Sequence, residues 1–374
     1  MNSPKWLLLS FKKRVTLKRI FLFVIVVLLY GECVCFFIDR YFWIDLPCEP
    51  APNNPCTRIL FVADPQIIGV NDGDSYTNFI RIWDSDRYLY YSYQHAVSHL
   101  KPNVIVFLGD LMDEGSTSTI KEYLKYLKRF HEIFDVSYDV QYIYIPGDND
   151  IGGEFGDWIT PEKIFRFEHI LSGNQSKRIE YNEYLTFYKI NRLVQDYHHG
   201  GMDDEEIPSQ IRIILSHMPL TNIGFVDSSI KRIKPNVIFS AHNHVPYSIV
   251  YDTISEEREF KKIDFSNEIY IAHLKTPKIF EYVVPTCSYR MGVPNMGYGA
   301  AVLDNEHGDL KYTIYWIHSR FLILHLYLIS LFSIFIMILL LTIIKYLRAM
   351  CRRYGKTKNG KNITDYVPVS QNVC

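Results

Sequence analysis

The chain has 374 residues, a formal net charge of −1 and 48% hydrophobic residues, enough for one large domain or two ordinary ones. Residues 1–42 carry 7 Lys/Arg and 2 Asp/Glu, and residues 319–374 carry 8 and 1, which leaves 25 basic and 38 acidic residues between them. A middle that acidic excludes the polyanion-binding surface that DNA or RNA requires, and it suits a metal site or a zwitterionic, membrane-borne substrate.

The first element in chain order is an apolar run, Ile20 to Ile38, interrupted only by Glu32. A second run, Phe321 to Ile344, carries no charge beyond what His325 can hold. Each is long enough to cross a bilayer as a helix, a buried core helix being the alternative for either. The first run is long for a cleaved signal peptide, and no A-x-A-like site comes after it. Lys12, Lys13, Arg14, Lys18 and Arg19 precede the first run, and Lys345, Arg348, Arg352, Arg353, Lys356, Lys358 and Lys361 come after the second. By the positive-inside rule both termini are expected in the cytoplasm, with the intervening region in a lumen or outside the cell. The expected organisation is a cytoplasmic N-terminus (1–19), a transmembrane helix (20–40), a lumenal linker (41–56), a lumenal domain (57–318), a transmembrane helix (319–345) and a cytoplasmic tail (346–374). Glu32, costly in hydrocarbon, is expected to face a partner helix or to snorkel outward.

Seven cysteines are too few for a disulfide scaffold. Cys33 and Cys35 fall in the first apolar run, and Cys351 and Cys374 in the tail, where Cys351 is a palmitoylation candidate. Of Cys48, Cys56 and Cys287, which belong to the oxidising side, Cys48 and Cys56 bracket a Pro/Asn-rich linker and are expected to pair. Asn174-Gln175-Ser176 is a glycosylation acceptor in a polar stretch; Asn362-Ile363-Thr364 has the same pattern on the wrong side of the membrane. The chain ends S-Q-N-V-C, without a dilysine or K-D-E-L signal.

Between the apolar runs, β-branched stretches alternate with helical ones. Arg58–Ala63, Asn103–Leu108, Val140–Ile145, Arg212–Leu215 and Val237–Ser240 read as buried strands, with helices at Asp84–Leu100 and Thr117–Phe134 between the first three. That alternation predicts sheets flanked by helices. The later runs, Ile269–Ala272, Tyr282–Pro285, Gly299–Leu303 and Lys311–Ile317, lack intervening helices and predict a second, more antiparallel sheet.

The residues at the carboxyl end of each early strand are chemically uniform. In order come Asp64-Pro65-Gln66, then Gly109-Asp110-Leu111-Met112-Asp113-Glu114-Gly115, then Gly147-Asp148-Asn149-Asp150, then Ser216-His217, then Ala241-His242-Asn243-His244. Any one of these alone reads as a turn, a helix cap or a surface histidine. Asp148-Asn149-Asp150 by itself is a turn motif, and Thr160-Pro161-Glu162 does not complete a calcium loop. Ligands of open α/β sheets bind beyond the carboxyl ends of the strands, so five such groups in series are expected to converge.

The series D-x-H/Q, G-D-x-x-D-x-G, G-N-H-D/E, a lone His and G-H-x-H resembles the calcineurin-like metallophosphoesterases. The resemblance covers roughly residues 17–345 and implies an α/β fold: a two-sheet, helix-flanked metallophosphoesterase sandwich between two transmembrane helices. It implies two divalent metal ions, most simply Mn2+. One would be held by Asp64, Gln66, Asp110 and His244, and the other by Asp110, Asp148, His217 and His242. Two such ions about 3.5–4 Å apart clamp the oxygens of an in-line phosphoryl displacement. Asp113 and Asp150 would orient the ligands. Gln66 stands where many relatives carry His, and Ala241 where they carry Gly. Asp148 occupies the place of the usual metal-binding Asn, and Asn149 that of the catalytic His. An Asn can hydrogen-bond a phosphoryl oxygen but cannot protonate a leaving alkoxide. A one-residue shift in register, with Asn149 ligating and Asp148 turned away, is the alternative.

The segment G-D-L-M-D-E-G, the two flanking spans and Val284–Arg290 (V-P-T-C-S-Y-R) are similar to those members of the family that remove an ethanolamine-phosphate side branch from mannose of GPI anchors. That similarity implies a GPI glycan or GPI-anchored protein as substrate, ER-to-Golgi membranes as location and p24-type cargo receptors as partners. The alternatives are another lipid or nucleotide phosphoester, or a catalytically weak trafficking adaptor.

Overall fold

In the computed structural model, which describes residues 17–48, 56–71, 75–154, 156–194, 210–221, 228–305 and 307–361, the β-branched runs build two mixed sheets. This corrects the expected division into a parallel and a largely antiparallel sheet. Strands β1 (Thr57–Val62), β2 (Val104–Phe107) and β3 (Gln141–Tyr144) are parallel neighbours, with Ile59 opposite Val104 and Val104 opposite Gln141. The late strands β10 (Tyr270–His273), β12 (Met296–Asp304) and β13 (Asp309–Ile317) extend this same sheet antiparallel, because the open edge of β1 pairs with β12. The resulting order is β10-β13-β12-β1-β2-β3. A short turn between β12 and β13 can join only an antiparallel pair.

The second sheet runs β4-β5-β6-β7-β11-β8-β9, where β5 (Leu185–Ile190), β6 (Ile211–Ser216), β7 (Val237–Ser240) and β11 (Lys278–Val283) are parallel. Its antiparallel members are β4 (Arg178–Glu180), β8 (Tyr247–Asp252) and β9 (Arg258–Lys262). These three and β5 are not foreseen from the sequence. β9, R-E-F-K-K, is exposed throughout and shows no apolar alternation.

The two sheets share one core. Ile59, Val104 and Val106 from the first, and Ile213, Leu215 and Val237 from the second, are fully buried within it, and the rings of Phe61 and Phe239 stack at 3.9 Å. Each such side chain contributes about 1.5–3 kcal/mol by leaving water. The other face of the first sheet is covered by α3 (Ser75–Leu100) and α4 (Ile120–Phe134), whose Phe130 and Phe134 lie 4.9 and 5.3 Å from the ring of Phe107. α4 starts at a capping box in which Thr119 and Glu122 satisfy each other's backbone N–H. α3 begins nine residues before the expected Asp84, and most of that added stretch faces outward rather than into the core. The outer face of the second sheet is closed by α7 (Ser228–Ile233), with Ile230 and Ile233 against Ile214 and Ile238.

Two units divide the chain, residues 1–32 with 321–374 and residues 33–320. The helix Leu17–Phe42 is formed by α1 (Leu17–Leu29), a π-helical turn (Tyr30–Val34) and α2 (Cys35–Phe42), and α8 occupies Arg320–Lys361. Over Leu17–Phe42 and Arg320–Arg353 these helices are long and apolar enough to cross a membrane. Within the first unit, Glu32 accepts a hydrogen bond from the Tyr327 hydroxyl, so of the two expectations the partner helix is the one found. A Cβ on Gly31 would stand 2.2 Å from that hydroxyl; only glycine permits so close an approach of the helices. Lys12, Lys13, Arg14, Asn362 and Cys374 lie outside the described residues.

In the second unit, Cys48 and Cys56 form a disulfide, as expected. Asp39 on α2 accepts from both the backbone N–H (3.0 Å) and Nδ1 (2.6 Å) of His318, and Trp43 Nε1 donates to the Trp316 carbonyl at 2.7 Å. The segments that lead to the two apolar helices are thereby fastened side by side. Asn174 is exposed in a turn, with its backbone N–H on the Glu168 carbonyl.

Candidate metal centre

Each of the five strand-end groups contributes one side chain to a single cluster, the fifth supplying one of its two histidines. Asp64 lies just past β1, Asp110 past β2, Asp148 opens the one-turn α5 (Asp148–Ile151) after β3, His217 lies past β6 and His242 past β7. His217 Nε2 lies 2.9 Å from Asp148 Oδ1 and 3.6 Å from Asp110 Oδ1, and His217 Nδ1 lies 3.9 Å from Asp64 Oδ1. His242 Nδ1 lies 3.2 Å from Asp148 Oδ1 and 3.2 Å from His217 Nε2. Two sets of potential ligand atoms result, each within 4.8 Å: Asp64, Asp110 and His217, and Asp148, His217 and His242. His217 is therefore common to both sets, whereas the sequence pattern assigns the shared place to Asp110. Gln66 is adjacent, its Nε2 donating to Asp110 Oδ2 at 3.2 Å. His244, half-buried, belongs to neither set, and its carbonyl accepts from the Thr286 N–H at 3.3 Å.

The backbone reaches this geometry in a conformation that side-chain-bearing residues seldom adopt. Asp64 (φ 47°), Gln66 (φ 41°), Asp110 (φ 51°), His242 (φ 67°) and His244 (φ 60°) are five of the nine non-glycine residues with positive φ among the described residues. Such positions cost of order 1–3 kcal/mol each and cluster at functional sites. Two glycines make room for the ligands. A Cβ on Gly147 would meet Asp110 Oδ1 at 2.1 Å, and one on Gly109 (φ +99°) would meet His217 Nδ1 at 2.5 Å.

A second layer fixes the ligands. His217 Nδ1 is 2.7 Å from the Leu108 carbonyl and donates to it, which turns Nε2 toward the cluster. Asp150 accepts from the N–H groups of Leu111 (3.0 Å), Met112 (3.2 Å) and Gly147 (2.9 Å), tying the turn after Asp110 to the turn before Asp148. Asp113 pairs with Arg290 at 3.1 Å, and Arg290 also donates to the Gln66 carbonyl at 3.1 Å. The supporting positions of Asp113 and Asp150 are thus as the motif spacing suggests. Asn149 donates from its backbone N–H to Asp110 Oδ1 (3.0 Å) and from its amide to Asp110 Oδ2 (3.2 Å). Asp148 Oδ1 is the oxygen turned toward His217 and His242.

Three supports are not anticipated from the sequence. Thr286 donates to the Asp64 carbonyl at 2.9 Å, and Arg290, though part of Val284–Arg290, has no role assignable from its motif. Glu281, on β11 and fully buried, accepts from the N–H groups of Leu220 and Thr221 (both 2.8 Å), the Thr221 hydroxyl and Ser240 Oγ (2.9 Å). It joins the loop after His217 to the strand end before His242. A lone carboxylate inside the apolar run K-I-F-E-Y-V is the sequence signal that marks it.

The electrostatics fit divalent cations. Asp64 is 0% exposed and neither carboxylate oxygen has a hydrogen-bond partner, an arrangement that costs several kcal/mol unless a cation supplies the missing interaction. Burial raises its pKa to about 8, opposed by His217. Burial pulls His217 down, but Asp110, Asp148 and Asp64 outweigh it and push the imidazole up to about 10. Burial likewise raises Asp110. At Asp148 burial acts upward, yet hydrogen bonds from His217 and His242 hold the carboxyl well below its usual range. Hydrogen bonding to Asp148 raises His242, while burial and the two neighbouring imidazoles lower His244. Buried carboxylate oxygens and imidazole nitrogens together suit Mn2+, Zn2+ or iron better than calcium.

The model of the calcineurin-like phosphoesterase family matches residues 57–246, a stretch that holds every candidate ligand from Asp64 to His244. Metallophosphoesterase 1 of Rattus norvegicus is 23% identical over 320 residues, covering 77% of this chain and 78% of that protein. Metallophosphoesterase 1 of Gallus gallus is 24% identical over 290 residues, covering 68% and 70%. The crystal structure of a metallophosphoesterase from Sphaerobacter thermophilus covers 69% of this chain and 88% of its own, with 13% identity and a TM-score of 0.33. Half the chain matches the family model, and within that half lies a carboxylate–imidazole cluster suited to divalent ions. The chain belongs to the calcineurin-like phosphoesterase family and is a metal-dependent phosphoesterase.

Proposed function

We propose that the protein is a membrane-anchored, lumenal, dinuclear-metal phosphodiesterase that removes an ethanolamine-phosphate side branch from mannose of GPI anchors and so promotes ER-to-Golgi transport of GPI-anchored proteins. The observation that carries the reading is the pair of ligand sets that meet at His217, in a domain bounded by two apolar helices. Asp64 and Asp110, with Gln66 and His244, would hold one ion; Asp110, Asp148, His217 through Nε2 and His242 would hold the other. Ions so held supply Lewis acidity toward phosphoryl oxygens and a nucleophile drawn from water, with manganese the expected metal.

The chain's own groups do the rest. The Leu108 carbonyl keeps the His217 proton on Nδ1, and Asp150 keeps the Asp110 and Asp148 turns in register. Asn149 engages Asp110 with its amide, leaving its second amide hydrogen as a donor for a phosphoryl oxygen. It has no proton for the leaving alkoxide, a step typically worth 10²–10⁴-fold. That single substitution is what favours the second reading, a slow enzyme or an adaptor for GPI-anchored cargo with p24-type receptors as partners. Placement of both termini in the cytoplasm and a glycan on Asn174 belong to the same proposal. The test is the mass of GPI glycans from cells with and without the protein, rescued by wild type or by Asp110→Ala. An added ethanolamine-phosphate in its absence, removed only by wild type, supports the reading. Unchanged glycan mass transfers the activity to another lipid or nucleotide phosphoester.

A further inference from the structure

The first turns of α3 present apolar and aromatic side chains to the outside. Tyr76 is 89% exposed, Phe79 68%, Ile80 52% and Trp83 60%, and Tyr90 continues the same face two turns on. The spacing i, i+3, i+4, i+7 places them on one stripe of the helix. This face carries no acidic residue: Asp84 and Asp86 turn elsewhere, to Arg320 and Arg129. Its charged member is Arg87, whose guanidinium stacks 5.1 Å from the Trp83 ring. Contiguous exposed aromatic surface of this kind marks an interaction site.

The packing of α3 shows which end of the domain the stripe occupies. Passing back along α3, Trp43 lies against His99 (5.6 Å), Phe36 against His95 (6.2 Å) and then Tyr88 (5.9 Å), so α2 is traced toward its apolar end. Asp84 next pairs with Arg320, the first residue of α8. Trp83, Ile80, Phe79 and Tyr76 come after that pair, at the end of the domain where the chain passes into both apolar helices. The same turns border the metal centre. The Asn78 amide donates to the carbonyls of Gly69 (3.2 Å) and Val70 (2.9 Å) in the loop after Gln66. Tyr289 donates to Asp84 at 3.0 Å, and its neighbour Arg290 donates to the Gln66 carbonyl.

We propose that the N-terminal half of α3 lies in the headgroup–acyl boundary of the bilayer and holds the metal centre against the lipid surface, so that the enzyme acts on phosphoesters borne by the membrane. Tyr and Trp favour that layer because each has an apolar body and a polar edge. Within the same unit the stripe runs on to α2, the Tyr91 ring lying 5.7 Å from the Arg87 guanidinium and 5.8 Å from the Phe36 ring, which selects lipid over a second copy or a soluble partner. The inference rests on the membrane-anchored reading above and not on the glycan assigned to it.

The test uses the full chain reconstituted into phosphatidylcholine nanodiscs with and without bromine on the acyl chains. The wild type, with five tryptophans, should lose fluorescence to the brominated lipid. Trp83→Phe should remove a distinct part of that loss. Equal quenching in wild type and Trp83→Phe overturns the proposal, as does a stripe that proves protected by self-association of the chain. A second arm compares Phe79→Ser/Trp83→Ser with wild type on a vesicle-borne phosphodiester and on a soluble nitrophenyl phosphodiester. Turnover should fall on the first and hold on the second; equal losses on both would reduce the stripe to a structural role. The quenching arm needs no turnover, so it stands or falls separately from the GPI assignment.

Discussion

Asp150→Asn isolates the device that joins the two ligand-bearing turns. The Asp150 carboxylate accepts from Leu111, Met112 and Gly147, with Oδ1 facing the first two and Oδ2 facing Gly147. An asparagine can offer one oxygen. Turned to Leu111 and Met112, it sets its NH2 against the Gly147 N–H; turned the other way, it keeps Gly147 and Leu111 but orphans Met112. One buried orphaned donor costs about 1–3 kcal/mol, so a loss of about 2 kcal/mol is expected at pH 6. Burial and then Asp110 raise the Asp150 pKa to about 7 in the metal-free protein. Because that value lies above the usual 3.8, the wild type gives up stability as Asp150 ionises between pH 6 and pH 8, whereas asparagine does not titrate. The loss in the variant should therefore be larger at pH 6 and shrink by pH 8. Because the clamp sets the separation of Asp110 and Asp148, Mn2+ affinity should fall about 10–100-fold, as for other groups that orient metal ligands. The assays are thermal unfolding of the detergent-solubilised chain at both pH values and calorimetric Mn2+ titration. Asp113→Asn, at a less buried pair, serves as comparison. A variant with wild-type Mn2+ affinity, or one destabilised equally at pH 6 and 8, would refute the clamp.

Asn149→His should restore a proton donor and raise kcat on alkyl phosphodiesters, by at most about 10²–10⁴-fold, with little change on a nitrophenyl ester that leaves unprotonated; equal changes on both would show that no histidine is missing. The metal-free protein should lose stability as pH rises from 6 to 9. Proton binding to Asp64 (from 3.8 to about 8) and His217 (from 6.5 to about 10) favours the folded state at the lower pH and is lost through those windows. Mn2+ should offset that loss, releasing protons as it binds, and a melting temperature flat from pH 6 to 9 without metal would count against the cluster. For topology, Asn174 should carry a glycan and a tag after Cys374 should be reached when only the plasma membrane is permeabilised; an unmodified Asn174 with a lumenal tag overturns the orientation.

The parts of the site that were legible in the sequence share one physical cause. Asp64, Asp110, Asp148, His217 and His242 each come directly after a buried apolar run, and the carboxyl ends of parallel strands bring such residues to one rim. Glu281 and Arg290 act from β11 and the segment after it, on backbone groups close only in three dimensions, so local pattern reveals at most that a charge is buried there. The positive φ at five site residues is equally silent, because nothing in an Asp or His side chain announces it. His217 as the common member of both ligand sets results from the Leu108 carbonyl that turns its ring, a contact across 109 positions. In the fold, β12 joining the edge of β1 depended on which sheet had a free edge, information that lies in pairing and not in propensity. The early start of α3 is silent in the sequence because Tyr76, Phe79, Ile80 and Trp83 face outward and leave no core-facing pattern there.

If this cluster holds two divalent ions and hydrolyses phosphodiesters with them, metal content and turnover must move together. The full-length protein is stripped by a chelator and titrated with Mn2+ while turnover of a phosphodiester is monitored. Turnover should vanish on chelation and return to a plateau at two ions per chain. Turnover that survives chelation, or a plateau at one ion, would contradict it.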